Sequence, residues 1–217
     1  MPISPSRAPR DAFAPQRVYC FYAFSFSLLF QLTSVLNLVY MATEVGLSPF
    51  QMVVVGAVLE ASVFVFEIPT GVVADLYSRR LSVLIGLVLI GAGFVLQGVG
   101  ATFAAMLIAQ VIWGVGYTFT SGADRAWLAD EIGAQNVAPV FARAQQLRLG
   151  GTIVGTLSAG SLGLIDIQLP LIASGAGYVV LAAALGVTMS ERGFAPTRAQ
   201  ERETFAHMGQ SLREGIA

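Results

Sequence analysis

Charge is what this sequence has least of. Only 12% of its residues are Asp, Glu, Lys or Arg and 55% are hydrophobic, with a mean hydropathy of +0.72, whereas soluble domains carry roughly a quarter charged residues. Such a chain cannot clothe a water-soluble surface and reads as an integral membrane protein. The single cysteine, Cys20, excludes an intrachain disulfide, and its place inside an apolar run assigns it to packing. The single histidine, His207, lies near the C-terminus, so neither a Ser/His pair nor a metal cluster is supported among the apolar runs. No enzyme and no cofactor are expected. The sequence holds no Walker-type phosphate loop, which argues against ATP-driven work by this chain. A net charge of -1 offers no field for a nucleic-acid partner.

What the chain does have is long apolar runs. Residues 18–40, 50–73, 81–99, 103–121, 149–165 and 170–189 are each read as a helix crossing the bilayer, given the roughly 20 residues needed to span hydrocarbon. The arginines before the first run resemble a signal-peptide start. That run exceeds the roughly 7–15 residues of a signal h-region and lacks a small-x-small cleavage site, so it is read as a retained helix. Residues 1–17 form a tail, 18–189 the bundle and 190–217 a second, charged tail. Between the fourth and fifth runs, residues 132–148 read as interfacial, with Trp127 just before them as a headgroup anchor. Gly151, Gly155 and Ala159 recur at four-residue spacing, a helix-packing face.

The arginines fix the orientation. With six crossings and an N-terminus inside, every basic residue falls on one side: Arg7, Arg10, Arg17, Arg79, Arg80, Arg125, Arg143, Arg148, Arg192, Arg198, Arg202 and Arg213. The opposite loops carry only Glu44 and Asp166. The positive-inside rule then places both termini in the cytoplasm of a multi-pass cell-membrane protein.

Within that frame one short turn is conspicuous. Gly71, Asp75, Arg79 and Arg80 form a glycine, an acid four residues on, and a basic pair four and five beyond that, in the loop after the second helix. This pattern resembles the signature of the major facilitator superfamily. The resemblance takes in essentially the whole chain as the N-terminal half of such a transporter. It implies an all-α polytopic fold, six transmembrane helices in one bundle built as a 3+3 inverted repeat. It further implies that the motif latches two halves together on the cytoplasmic side, with an acid after the fourth helix in the same network, Asp130 first and Asp124 in reserve. In physical terms, Gly71 is expected to admit a close helix, and Asp75 to pair with Arg79 one turn on or with a helix N-terminus. Ser78 stands where the family usually has a second glycine. Gln110 stands where many proton-coupled members carry an arginine, and the Gly-Pro element common in the fifth helix of drug antiporters is absent.

Two acids lie at membrane depth. Glu60 and Glu67, seven residues apart, share one helical face, and no basic residue in a predicted span neutralises them. Desolvation is expected to raise their pKa values and suit them to carry protons or receive cationic solutes. For Glu67, beside Pro69, a protonated side chain bonded to a neighbouring helix is the alternative. Gln31, Asn37, Gln110, Trp113 and Tyr117 are candidates to line the same cavity, though each also reads as a packing residue. Secondary transport of a small organic solute by alternating access, with export favoured and protons as a candidate coupling ion, is the leading functional reading. A non-transporting six-helix scaffold or assembly partner is the alternative. One bundle supplies half a midplane site, so the second six-helix half, or less readily a second copy, is expected beyond the linker-like tail.

Overall fold

The computed structural model describes residues 14–195, and within them every long element is a helix. These are α1 (Pro15–Thr43), α2 (Pro49–Leu76), α3 (Arg79–Val99), α4 (Phe103–Thr120), α5 (Ala123–Ile132), α6 (Val137–Gly163) and α7 (Leu169–Thr188). The tail residues 1–13 and 196–217, with Arg7, Arg10, Arg198, Arg202, His207 and Arg213, lie outside the described residues.

Local chemistry sets the helix starts. Ser48 and Gln51 form a reciprocal capping box ahead of α2, with Pro49 in the first turn where its missing N–H costs nothing. Thr102 caps α4 and Ser78 caps α3 through their hydroxyls. Gly122, at φ +79°, breaks α4 from α5, a left-handed conformation open to glycine. Pro69 lies inside α2, where the Thr70 hydroxyl donates to the Phe66 carbonyl.

Five segments have the length and hydropathy to cross a membrane: Pro15–Thr43, Pro49–Leu76, Arg79–Val99, Phe103–Ile132 and Leu169–Thr188. The sixth predicted crossing falls in α6, whose first half carries Arg143, Gln145, Gln146 and Arg148 and so dilutes its hydropathy. The segment read as interfacial, residues 132–148, is largely helical. Only α5 is a separate short helix, while residues 137–148 continue without a break into the apolar part of α6, because no proline or glycine interrupts the run from Val140 to Leu149.

Small residues decide which helices touch. A Cβ on Gly151 or Gly155 would sit 2.4 Å from the carbonyl oxygens of Phe24 and Leu28 on α1, and Ala159 one turn further is fully buried. The contacts run in the same sense along both helices, so α1 and α6 are parallel and start at the same, basic end. Gly91 of α3 and Gly175 of α7 face each other reciprocally, each Cβ position 2.6 Å from the other's carbonyl oxygen. Gly86 and Gly116 do the same for α3 and α4. The main pairings are α1 with α6, α2 with α4, and α3 with α4 and α7, with α1 also against α7. Exchanging α1 with α4, α2 with α6 and α3 with α7 maps this set onto itself, the pattern of a 3+3 repeat with the Gly91–Gly175 contact at its centre.

Aromatic side chains fill the interior between these contacts. Tyr178, fully buried, packs on Phe26 at 5.4 Å and Phe94 at 5.7 Å between ring centres, and Phe94 on Trp113 at 5.4 Å. The outer surface is apolar. Leu164, Val187 and Ile165 are 90%, 83% and 77% exposed, an exposure that a lipid surround makes tolerable and water would not.

Candidate functional site

The turn between α2 and α3 is the centre of a polar network at the basic end. Its geometry begins with the first turn of α3, where Ser78 accepts from the N–H of Leu81 at 2.9 Å. Arg79, one residue on, is thereby aimed across to α5, where it meets Asp130 at 2.9 Å. It also approaches Asp75, the last acid of α2, at 3.6 Å. The Arg79 and Asp130 side chains are 20% and 24% exposed and Asp75 is 43% exposed. A charge-assisted bond of this geometry is among the stronger polar contacts available to a helix bundle.

Asp124, the reserve candidate, is not in this network. It is buried on the first turn of α5, where Arg148 of α6 approaches at 3.7 Å and the Tyr19 hydroxyl donates at 3.4 Å. Arg80 does not join an acid with its guanidinium; it donates to the carbonyl of Gly186 on α7, and its backbone N–H donates to Glu191 at 3.1 Å.

Two acids that the sequence reading did not single out complete the network. Glu191 follows α7 and accepts from the Ser78 hydroxyl, at 2.7 Å to its Oε2. Glu131, at the end of α5, accepts from the Ser190 hydroxyl and from the backbone N–H groups of Arg192 and Gly193 at 2.6 and 2.8 Å. The chain leaving α7 is therefore strapped to both the motif turn and α5. Trp127 adds to the strap, its indole N–H donating to the Ser190 carbonyl at 2.6 Å. With 2% exposure it is a buried linker and not the expected headgroup anchor, since its N–H finds a carbonyl inside the protein. Ser78, the departure from the family pattern, has two physical tasks that glycine lacks, capping α3 and holding Glu191. The signal for Glu191 was its place just past an apolar run and before Arg192, whereas nothing local marked Glu131.

Gly71 has no close neighbour within this bundle. A Cβ there would meet nothing within 4 Å, so no helix of this bundle approaches it closely. The reason is the side of α2 on which it lies. Val55, Ser62, Thr70 and Ala74 are buried on the packing side, and Gly114 of α4 comes against Ser62 and Leu59. Gly71 shares the other side with Glu60, Phe64, Glu67 and Asp75, a stripe with steps of three and four residues. Glu60 and Glu67 are both exposed on it.

The remaining candidates are dispersed. Gln31 lies in the α1–α6 seam against Gly155. Asn37 accepts from Gln97 of α3, an interhelical amide pair, with Gln97 1% exposed. Gln110 is buried at 3%, and Trp113 belongs to the aromatic interior. Tyr117 alone of this group opens on a cavity of about 320 Å³ at the basic end, between Tyr22 and Phe26 of α1, Asp124 and Arg125 of α5 and Arg148 of α6. The structure does not bring these residues to one cavity with the glutamates. Polar residues at helical spacing mark non-lipid faces, but protein seams and cavities share that signature.

Among the described residues no cluster of His, Cys, Asp and Glu has the make-up of a metal site. Comparison with known proteins gives two findings. The sequence model of the Major Facilitator Superfamily matches residues 18–214. Over 138 residues the chain is 26% identical to the Bacillus subtilis (strain 168) protein named uncharacterized MFS-type transporter YxaM, an alignment that takes in 60% of this chain and 33% of that protein. The chain thus spans about a third of the length of that curated relative.

Proposed function

The chain belongs to the major facilitator superfamily, and from that premise we propose that it is one six-helix half of a secondary transporter that moves a small organic solute by alternating access. The observation that carries the reading is the exposed stripe of Glu60, Phe64 and Glu67 on α2, which runs on to the partly buried Gly71 and Asp75. Its two membrane-depth carboxylates, Glu60 and Glu67, are costly against lipid and suited to a water-filled pathway or to a facing bundle. The stripe ends at Asp75, beside Arg79, so the uncovered face and the ion network are continuous.

In this account the second bundle, from further chain or less readily a second copy, closes against the α2 face. The network of Asp75, Arg79 and Asp130 acts as a latch at the cytoplasmic end, with both termini on that side of the cell membrane. Glu60 and Glu67 carry the coupling proton, and export is the favoured direction. The test uses the complete reading frame in proteoliposomes with entrapped pyranine, scoring solute-evoked proton movement. Glu60→Gln is expected to abolish that movement in a protein that still folds. Proton movement unchanged from the parent protein would overturn the coupling role, and no solute flux in either protein would favour a scaffold.

A further inference from the structure

The cavity at the basic end is built for a negative charge. Two guanidinium groups, Arg125 and Arg148, and one carboxylate, Asp124, line it, leaving a net positive formal charge. The acid is the least available of the three. Asp124 is 8% exposed and already engaged by Arg148 and the Tyr19 hydroxyl. Arg125 is exposed, and no carboxylate among the described residues pairs with it, since the adjacent Asp124 turns to α6. The Arg148–Asp124 contact, at 3.7 Å, is long for a charge-assisted bond and leaves Arg148 able to accept a second anion. The same cavity is lined by the rings of Tyr22, Phe26 and Tyr117. The volume of about 320 Å³ is near the lower end of ligand pockets, which run from roughly 300 to 1,000 Å³.

We propose that this cavity is a binding site for a small organic anion, its carboxylate held between Arg125 and Arg148 and its apolar or aromatic body laid against Phe26 and Tyr117. The inference rests on the transport reading, for which it names the substrate class. A cation has no comparable partner here, because the one acid is buried and engaged. Arg148, partly buried beside these rings, holds an anion more strongly than it would in open solvent.

The test is equilibrium binding to the complete protein in phosphatidylcholine nanodiscs, with benzoate as the anion, benzamide as its neutral isostere and benzylammonium as the cation. Saturable benzoate binding is expected, with benzamide weaker by about tenfold or more, the usual effect of losing a bond to a charged group. Arg125→Gln is expected to weaken benzoate by about the same factor, while Arg143→Gln, an exposed arginine earlier on α6, leaves it unchanged. Arg148→Gln strands Asp124 and can unfold the region, so Arg125→Gln carries the decision. Benzylammonium binding as tightly as benzoate, or benzoate binding unaffected by Arg125→Gln, overturns the proposal. So does stabilisation by phosphatidylglycerol that benzoate does not compete with, the mark of a lipid-headgroup site. Anion binding without flux in proteoliposomes supports the site and counts against the transport reading. Flux of a neutral or cationic solute with no anion binding counts against the site alone.

Discussion

Arg79 at the start of α3 bonds Asp130 of α5 at 2.9 Å, closer than it stands to Asp75 of its own motif at 3.6 Å. The basic residue of the turn is thus committed first across the bundle and only second to its sequence neighbour. Because both partners are about a fifth to a quarter exposed, the pair is worth about 1 kcal/mol after solvent screening. A double-mutant cycle with Arg79→Gln and Asp130→Asn, read by thermal unfolding in detergent, is expected to return a coupling near that value. The corresponding cycle for Arg79 and Asp75 is expected to return less.

The glycines predict opposite outcomes at positions that look alike in sequence. Gly155→Leu drives a side chain into the α1 backbone, where even a Cβ would lie 2.4 Å from the Leu28 carbonyl oxygen, and is expected to abolish the folded, monodisperse protein in size-exclusion chromatography. Gly71→Ala meets nothing within 4 Å and should be neutral or stabilising by up to about 1 kcal/mol in helix propensity.

The strap after α7 yields a third expectation. Ser78→Ala removes both the α3 cap and the hydroxyl that holds Glu191, for a cost of about 1–2 kcal/mol. Hydrogen exchange should rise at the N–H of Arg80, which Glu191 accepts, and in the segment after α7, while the Gly151 region of α6 stays protected.

Asn37 and Gln97 should behave as a unit. Gln97→Leu leaves the Asn37 amide without its partner and is expected to cost about 1 kcal/mol, within the 0.6–2 kcal/mol of interhelical hydrogen bonds in membranes. Adding Asn37→Leu should restore most of the lost melting temperature.

Much of this architecture was legible in the sequence, for physical reasons that particular residues display. Apolar runs of membrane length have few alternatives to a helix, so the starts of α2, α3 and α4 lie within two residues of those expected. The spacing of Gly151, Gly155 and Ala159 announced a packing face because only small residues let backbones approach. Legibility ended where tertiary partners decide. Nothing local distinguishes Asp130, which meets Arg79, from Asp124, which meets Arg148. Arg143 and Arg148 suggested an interface and concealed the continuity of α6. Gly71 read as a contact glycine, and within this bundle nothing comes within 4 Å of a Cβ placed there. Gln31 and Asn37 share a polar face with a cavity wall in appearance, yet one sits in a seam and the other is tied to Gln97.

The central claim, that the α2 stripe faces a water-accessible pathway between bundles, is tested most directly by cysteine accessibility. In a Cys20→Ala background, single cysteines at Glu60, Phe64, Glu67 and Gly71 are labelled in native membranes with a maleimide that reacts only in water. Val180, 67% exposed on α7, serves as the lipid-facing control. The account predicts labelling at the stripe positions and not at Val180, with Arg79→Gln changing the rate at Gly71 as the latch is released. Stripe positions as inert as Val180 would contradict it.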